Sequence, residues 1–241
     1  MRVNQLVDAV FVLSVRTFDD RIRHMRREMA KHGIDFGFVF EFDANAIPPE
    51  LIERTFAPSD MKISHQSLVL KHIHTWRQCV ERGWRRVLVL EDDAELAEGF
   101  ADAFAQAMRE ADALDPGYLI YLGCGDNKYL AGQASSPTVL VAGGSLPATD
   151  AIVFDRTAAE RRLAWIARHR IARPADWLMR EVDAATGIRH YWLRSPIVRQ
   201  GSMSGRFRSV LDDKRRFRGR WYAWIRYRWD RWRRWGLKGR A

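Results

Sequence analysis

The chain predicts an α/β fold built on a mainly parallel central sheet, and three observations carry that expectation. Short apolar, β-branched runs alternate with segments of helical periodicity through the first half. At 241 residues and 47% hydrophobic content, the chain can bury a sizeable core. The apolar run "RVLVLE" enters three consecutive acids, Glu91, Asp92 and Asp93, and α/β proteins bind ligands in the crevice at the carboxyl ends of such strands.

The elements follow in order. "VDAVFVLSV" (7–15) reads as a first strand, and "DDRIRHMRREMAKHG" (19–33) as a helix with an aspartate start and a glycine stop. "FGFVFEFDA" (36–44) is β-rich and ends in acid, and "IPPELIERTF" (47–56) opens a short helix behind two prolines. An amphipathic helix over "SLVLKHIHTWRQCVERG" (67–83) precedes the strand "RRVLVLE", a helix from about 95 to 111 and the strand "GYLIYLG" (117–123). The small, turn-rich stretch 131–150 predicts a loop and hairpin. "AIVFD", a helix over 156–169, "RPADWLMREVDAAT" and "GIRHYWLRSPIV" complete the body, without an internal repeat.

The charge is unevenly placed. Residues 214–241 hold twelve Lys/Arg against one acid, a balance of +11 that leaves residues 1–213 at −1 of the total +10. A pI near 10 therefore does not make the body a nucleic-acid binder. Cys79 and Cys124 lack metal-like spacing and read as reduced cytosolic thiols. "AVFVLSV" lacks a basic leader and a small-residue cleavage site, and no run approaches the roughly 20 apolar residues of a spanning helix.

Three adjacent carboxylates repel one another unless a cation, water or hydrogen-bond donors offset the charge. Alternation along an extended strand puts Glu91 and Asp93 on one face and Asp92 on the other. Such a pair suits Mg²⁺ or Mn²⁺ with a phosphate chain completing the ligands. The plainer alternative is that the acids favour the start of the next helix. A signal-receiver reading, which also has an acidic pair after a strand, fits poorly because two strands already precede these acids.

Taken together, several stretches resemble glycosyltransferase family 25. They are "VFVLSVRTFDDRIRHM", with Asp20 and Arg21 at the head of a helix, "FEFDA", ending in Asp43, and above all "SLVLKHIHTWRQCVERGWRRVLVLEDD". "YLIYLG", "ATDAIVFDRTAAERRL", "RPADWLM" and "SPIVRQGSMSG" continue the order. The chain departs from the family at Ser14, where Asn is usual, at Lys71, where Ser is usual, and at Ser64 and His65, where a Gly-Glu pair is usual.

The resemblance implies a GT-A-like nucleotide-sugar-binding fold, a UDP-sugar donor and inverting transfer of a hexose, galactose first, to a lipooligosaccharide or other cell-surface glycan. It implies Mn²⁺ or Mg²⁺ on Asp93 and then Glu91, with Asp92 shared between metal and ribose. Ser14, Arg21, Asp43, His72, Gln200 and Ser202 become nucleotide-sugar contacts. Asp176, just before an apolar helix, is the candidate base, with N-capping as its alternative role. The contrasting reading is a noncatalytic nucleotide- or glycan-binding module of the same fold.

In the tail, Phe217, Trp221, Trp224, Ile225, Trp229, Trp232 and Trp235 recur every three or four residues with arginines between them. This predicts a basic amphipathic helix on an anionic membrane surface, with a solvated or self-packed tail as the plainer alternative and nucleic acid the weaker fit. The expected organisation is a catalytic domain over 1–213 and a membrane-associating tail over 214–241, in a cytoplasmic protein peripheral on the inner face of the cytoplasmic membrane.

Overall fold

The computed structural model describes residues 2–123, 138–144, 148–202, 206–207 and the two positions 225 and 229. A central sheet of seven strands forms the middle layer. The first three are β1 (Ala9–Leu13), β2 (Gly37–Val39) and β3 (Arg86–Glu91). With β4 (Ala94–Leu96) set aside, β5 (Tyr118–Tyr121), β6 (Leu140–Ala142), β7 (Ala151–Asp155) and β8 (Arg189–Leu193) complete it, in the spatial order β2-β1-β3-β7-β5-β8-β6. β4 pairs instead with β9 (Val198–Gln200) in a two-stranded antiparallel ribbon.

The expectation of a mainly parallel sheet holds for strand direction. β2, β1, β3, β5 and β8 run one way, whereas β7, wedged between β3 and β5, and β6 at the edge run the other. Between Arg86 and Glu91, β3 is apolar because both of its faces are covered. Leu88 and Leu90 pack with Met25 and Met29 of helix α1 (Asp19–His32) and with Phe100, Phe104 and Met108 of α4 (Phe100–Ala111). Val87 and Val89 face Ile73, Trp76 and Cys79 of α3 (Ile63–Glu81), Ala158 of α5 (Arg156–Ile166) and Leu178 of α6 (Ala175–Thr186). A short helix, α2 (Pro49–Thr55), begins at the second of the two prolines.

The expected glycine stop of α1 is Gly33, in the left-handed region at φ 60°, where its N–H closes on Met29 and Ala30. Three expectations need correction. The helix expected from about 95 begins only at Phe100, after Gly99; residues 94–96 are strand, because β9 supplies a ladder partner a hundred residues away. The β-rich 36–44 yields only Gly37–Val39, since the chain then turns, with Phe42 at φ 63°. Within 131–150, β6 pairs with β8 rather than in a hairpin of its own, and residues 131–137 and 145–147 lie outside the described residues. Cys124 and the tail also lie outside them, except for Ile225 and Trp229, both helical and exposed.

The α3/α5/α6 layer is held by a buried ion pair. Arg162 donates through Nε and Nη2 to the two carboxylate oxygens of Asp183, at 2.8 and 2.6 Å, and His190 Nε2 lies 2.9 Å from the same carboxylate. Burial would raise the Asp183 pKa, but Arg162 and these hydrogen bonds hold it below the usual carboxylate range. Asp183→Ala strands the Arg162 charge in the core, and urea unfolding should show a loss of about 3–5 kcal/mol.

Candidate active site

The site grows from the parallel register of β1 and β3, which sets Leu13 beside Glu91. One residue further on, Ser14 Oγ donates to Asp92 Oδ2 at 2.8 Å, while Arg21 Nη1, from the first turns of α1, donates to Asp92 Oδ1 at 2.5 Å. Asp92 and Asp93 form the tight turn into β4, and the three acids divide their partners as strand alternation predicts. Glu91 accepts from Thr149 Oγ1 at 2.8 Å and from Gln200 Nε2 at 3.3 Å. Asp93 Oδ2 accepts from the Ser202 N–H at 2.9 Å.

β9 brings Gln200 and Ser202 to the acids. Its ladder puts Gln200 opposite Ala94, and the Gly201 N–H donates to the Asp93 carbonyl at 2.8 Å. Only glycine fits here, since a Cβ would stand 2.8 Å from that carbonyl oxygen and 2.8 Å from the Phe207 ring. The Arg21 guanidinium lies over the Phe207 ring at 5.5 Å and over the Phe18 ring at 5.6 Å.

These groups surround a cavity of about 290 Å³. Ser14, Arg21, the three acids, Gln200 and Ser202 all line it. Val15, Thr17, Ala44, Asn45 and Ser64 contribute uncharged parts of its wall, and Lys71 lines it from α3. The structure therefore brings together seven of the ten residues singled out in the sequence.

The other three stand apart. Asp43 is buried behind the wall, one carboxylate oxygen accepting from Lys71 Nζ at 2.7 Å and the other from the Arg16 N–H at 2.9 Å. His72 lies in the α3/α5/α6 layer, off the cavity; burial, reinforced by Arg162, lowers its pKa to about 3, so its ring is neutral. Asp176 is partly buried in the first turn of α6, its carboxylate accepting from the Trp177 N–H at 2.9 Å. The N-cap itself is Pro174, so Asp176 does not cap in the ordinary sense. Trp192 is buried and stacked on Tyr121, a packing role, whereas Trp177 is 46% exposed.

Burial, reinforced by Asp93 and Asp150, raises the Glu91 pKa to about 8. Burial also raises that of Asp92, against the pull of Arg21. Asp93 Oδ1 is buried and finds no hydrogen-bond partner among the described residues, leaving an acceptor open to a ligand. Among the described residues no group of three or more His, Cys, Asp and Glu side chains is placed to hold a metal. Sequence reasoning missed Lys71, Thr149 and Phe207 as parts of this neighbourhood. Lys71 alone left a trace, as a cation among the apolar positions of a helix.

The profile of glycosyltransferase family 25 (LPS biosynthesis protein) matches residues 7–139, from the start of β1 to the approach to β6. No curated protein sequence matches the chain. Among solved structures, a glycosyltransferase involved in the glycosylation of the major capsid of PBCV-1 superimposes with a TM-score of 0.43 at 11% identity, over 91% of this chain and 99% of that one. The family match spans more than half of the chain and contains β1, α1 and the acidic turn: the protein belongs to glycosyltransferase family 25.

Proposed function

We propose that the protein transfers a hexose, galactose in first place, from a UDP-sugar to a lipooligosaccharide or other cell-surface glycan, with inversion. The supporting observation is the convergence of Ser14, Arg21, Glu91, Asp92, Asp93, Gln200 and Ser202 on one cavity at the carboxyl ends of β1 and β3. In this reading Asp93 and Glu91 hold Mn²⁺ or Mg²⁺ together with diphosphate oxygens. When bound, the cation supplies Lewis-acid stabilisation of the charge that builds on the departing diphosphate.

The chain's own groups have separate tasks. Arg21 and Ser14 consume both oxygens of Asp92, which fixes the turn and leaves Asp93 Oδ1 directed to a ligand. Gln200 and the Ser202 N–H hold the Glu91 and Asp93 carboxylates from the β9 side. Asp176 takes the proton from the acceptor hydroxyl. Its helix leads through Gly187 into β8, which runs in the direction of β3, so the first turn of α6 belongs to the sheet edge where β1 and β3 end. The exposed Trp177 beside it offers the acceptor a face for stacking.

A thermal-shift and turnover panel of nucleotide sugars with Mn²⁺ tests the reading. UDP should raise the unfolding temperature, and Asp93→Ala should lower turnover by about 10²–10³-fold. A protein that neither binds UDP nor turns over any UDP-sugar, with Asp93→Ala unchanged, is the noncatalytic module instead.

Glu91 yields a separate expectation. Held near 8 in the fold against about 4.5 when free, it binds an extra proton in the folded state between those values, so ligand-free stability falls as pH rises from about 4.5 to about 8. Glu91→Gln removes this slope. Its melting temperature should exceed that of the wild type at pH 8.5 and converge toward it near pH 5, while transfer is lost.

We also propose that residues 214–241 hold the enzyme on an anionic membrane, near a lipid-linked acceptor. No described helix is long and apolar enough to cross a membrane, and each tail cation contributes about 1 kcal/mol at an anionic surface. Deleting 214–241 should abolish flotation with anionic liposomes; equal flotation of the truncated protein refutes the anchor.

A further inference from the structure

The cavity lining is of two chemical kinds: Glu91, Asp92, Asp93, Arg21 and Lys71 are charged groups, whereas Val15, Thr17, Ala44, Asn45 and Ser64 contribute a wall of apolar and uncharged polar groups. If the donor diphosphate lies at the acids, that wall receives the base and ribose, which neutral hydrogen-bonding and apolar surface can recognise.

Three segments build the neutral wall, and one side chain joins them. Lys71 is 3% exposed, so its ammonium cannot swing out into solvent. Nζ donates to the Val39 carbonyl at 3.2 Å, the Glu41 carbonyl at 2.7 Å and Asp43 Oδ1 at 2.7 Å. Those acceptors match the three donors of an ammonium group, one more than a neutral amine offers. Asp43 passes the restraint on through its other oxygen to the Arg16 N–H, in the loop between β1 and α1. One turn earlier on α3, Ser67 Oγ donates to the Phe42 carbonyl at 2.6 Å and supports the left-handed backbone at that residue. The loop after β1, the loop after β2 and α3 are thus tied at a single buried ion pair.

We propose that Lys71 is a positioning residue for the nucleoside half of the donor, acting through Asp43 to hold both loops of the wall in one shape. Asp43 then serves the nucleotide indirectly, since both of its oxygens are committed within the protein. The inference rests on the UDP-sugar reading above.

A double-mutant cycle on the full chain tests it, using Lys71→Met, Asp43→Asn and the pair together, with UDP titrated calorimetrically in the presence of Mn²⁺ and transfer or hydrolysis of UDP-galactose measured in parallel. Each single change should weaken UDP binding by about tenfold, and the pair should be no weaker than the worse single within about threefold, because both act through one interaction. The KM for the donor should rise with the dissociation constant while kcat falls by less than about threefold, a split that general loss of structure would not produce. If Lys71→Met fails to fold, the double variant replaces it, since it leaves no unpaired buried charge and keeps an acceptor for Arg16; it must then bind UDP as weakly as Asp43→Asn. Wild-type affinity in Lys71→Met, or losses that multiply in the pair, overturns the role of Lys71 while UDP binding by the wild type leaves the donor reading standing. Failure of the wild type itself to bind UDP or any UDP-sugar overturns the donor reading and this inference with it.

Discussion

Consecutive carboxylates at the end of a buried strand impose the constraint around which the rest of the site is arranged. Asp92 and Asp93 are almost completely buried, and nothing in β3 itself neutralises them. Asp92 is compensated from the β1 side by Arg21 and Ser14, and Asp93 from the β9 side by the Ser202 N–H. Glu91, left with a threonine hydroxyl and an amide, has its pKa raised by burial, and the repulsion from Asp93 and Asp150 adds to it. Removing charge from this turn is therefore compatible with a more stable fold and a poorer enzyme, the trade-off expected of a site that stores unfavourable electrostatics for a ligand.

The scaffold serves that turn through its departures from regular topology. β7 inserts antiparallel beside β3, and the Glu91 N–H donates to the Asp150 carbonyl just before β7 begins, which brings Thr149 to the Glu91 carboxylate. The β4-β9 ribbon, standing off the main sheet, carries Gln200 and Ser202 to the same place. Elsewhere the three-layer packing follows from β3 being apolar on both faces, and the Arg162–Asp183 pair stabilises the helical layer away from the chemistry.

Much of this was legible in the sequence. Periodicity located α1, α3, α5 and the strands β1, β3 and β5, since each depends on neighbours three or four residues away, or two along a strand. The same local rule failed at 94–96, where the apolar spacing suited a helix and a partner a hundred residues distant decided for a strand. At the site, the acids were legible because they end an apolar strand, and Ser14, Arg21, Gln200 and Ser202 through the family resemblance. Lys71 and Thr149 were not, because their roles lie in contacts rather than in spacing. His72 shows the converse: its place in a family-like stretch pointed to the nucleotide, yet its helix face turns it into the core.

By itself the sequence determined the α/β class, the family resemblance, the position of the acidic turn and the segregation of positive charge into the last 28 residues, all properties of composition and short-range pattern. Only the tertiary structure decided which acid keeps an oxygen unpartnered among the described residues, that Asp43 is committed to Lys71 and Arg16, and that β9 brings Gln200 into the cavity lining. These are matters of which distant groups meet in a dry interior, where a carboxylate's charge and reach are set by its nearest donors rather than by its neighbours in the chain.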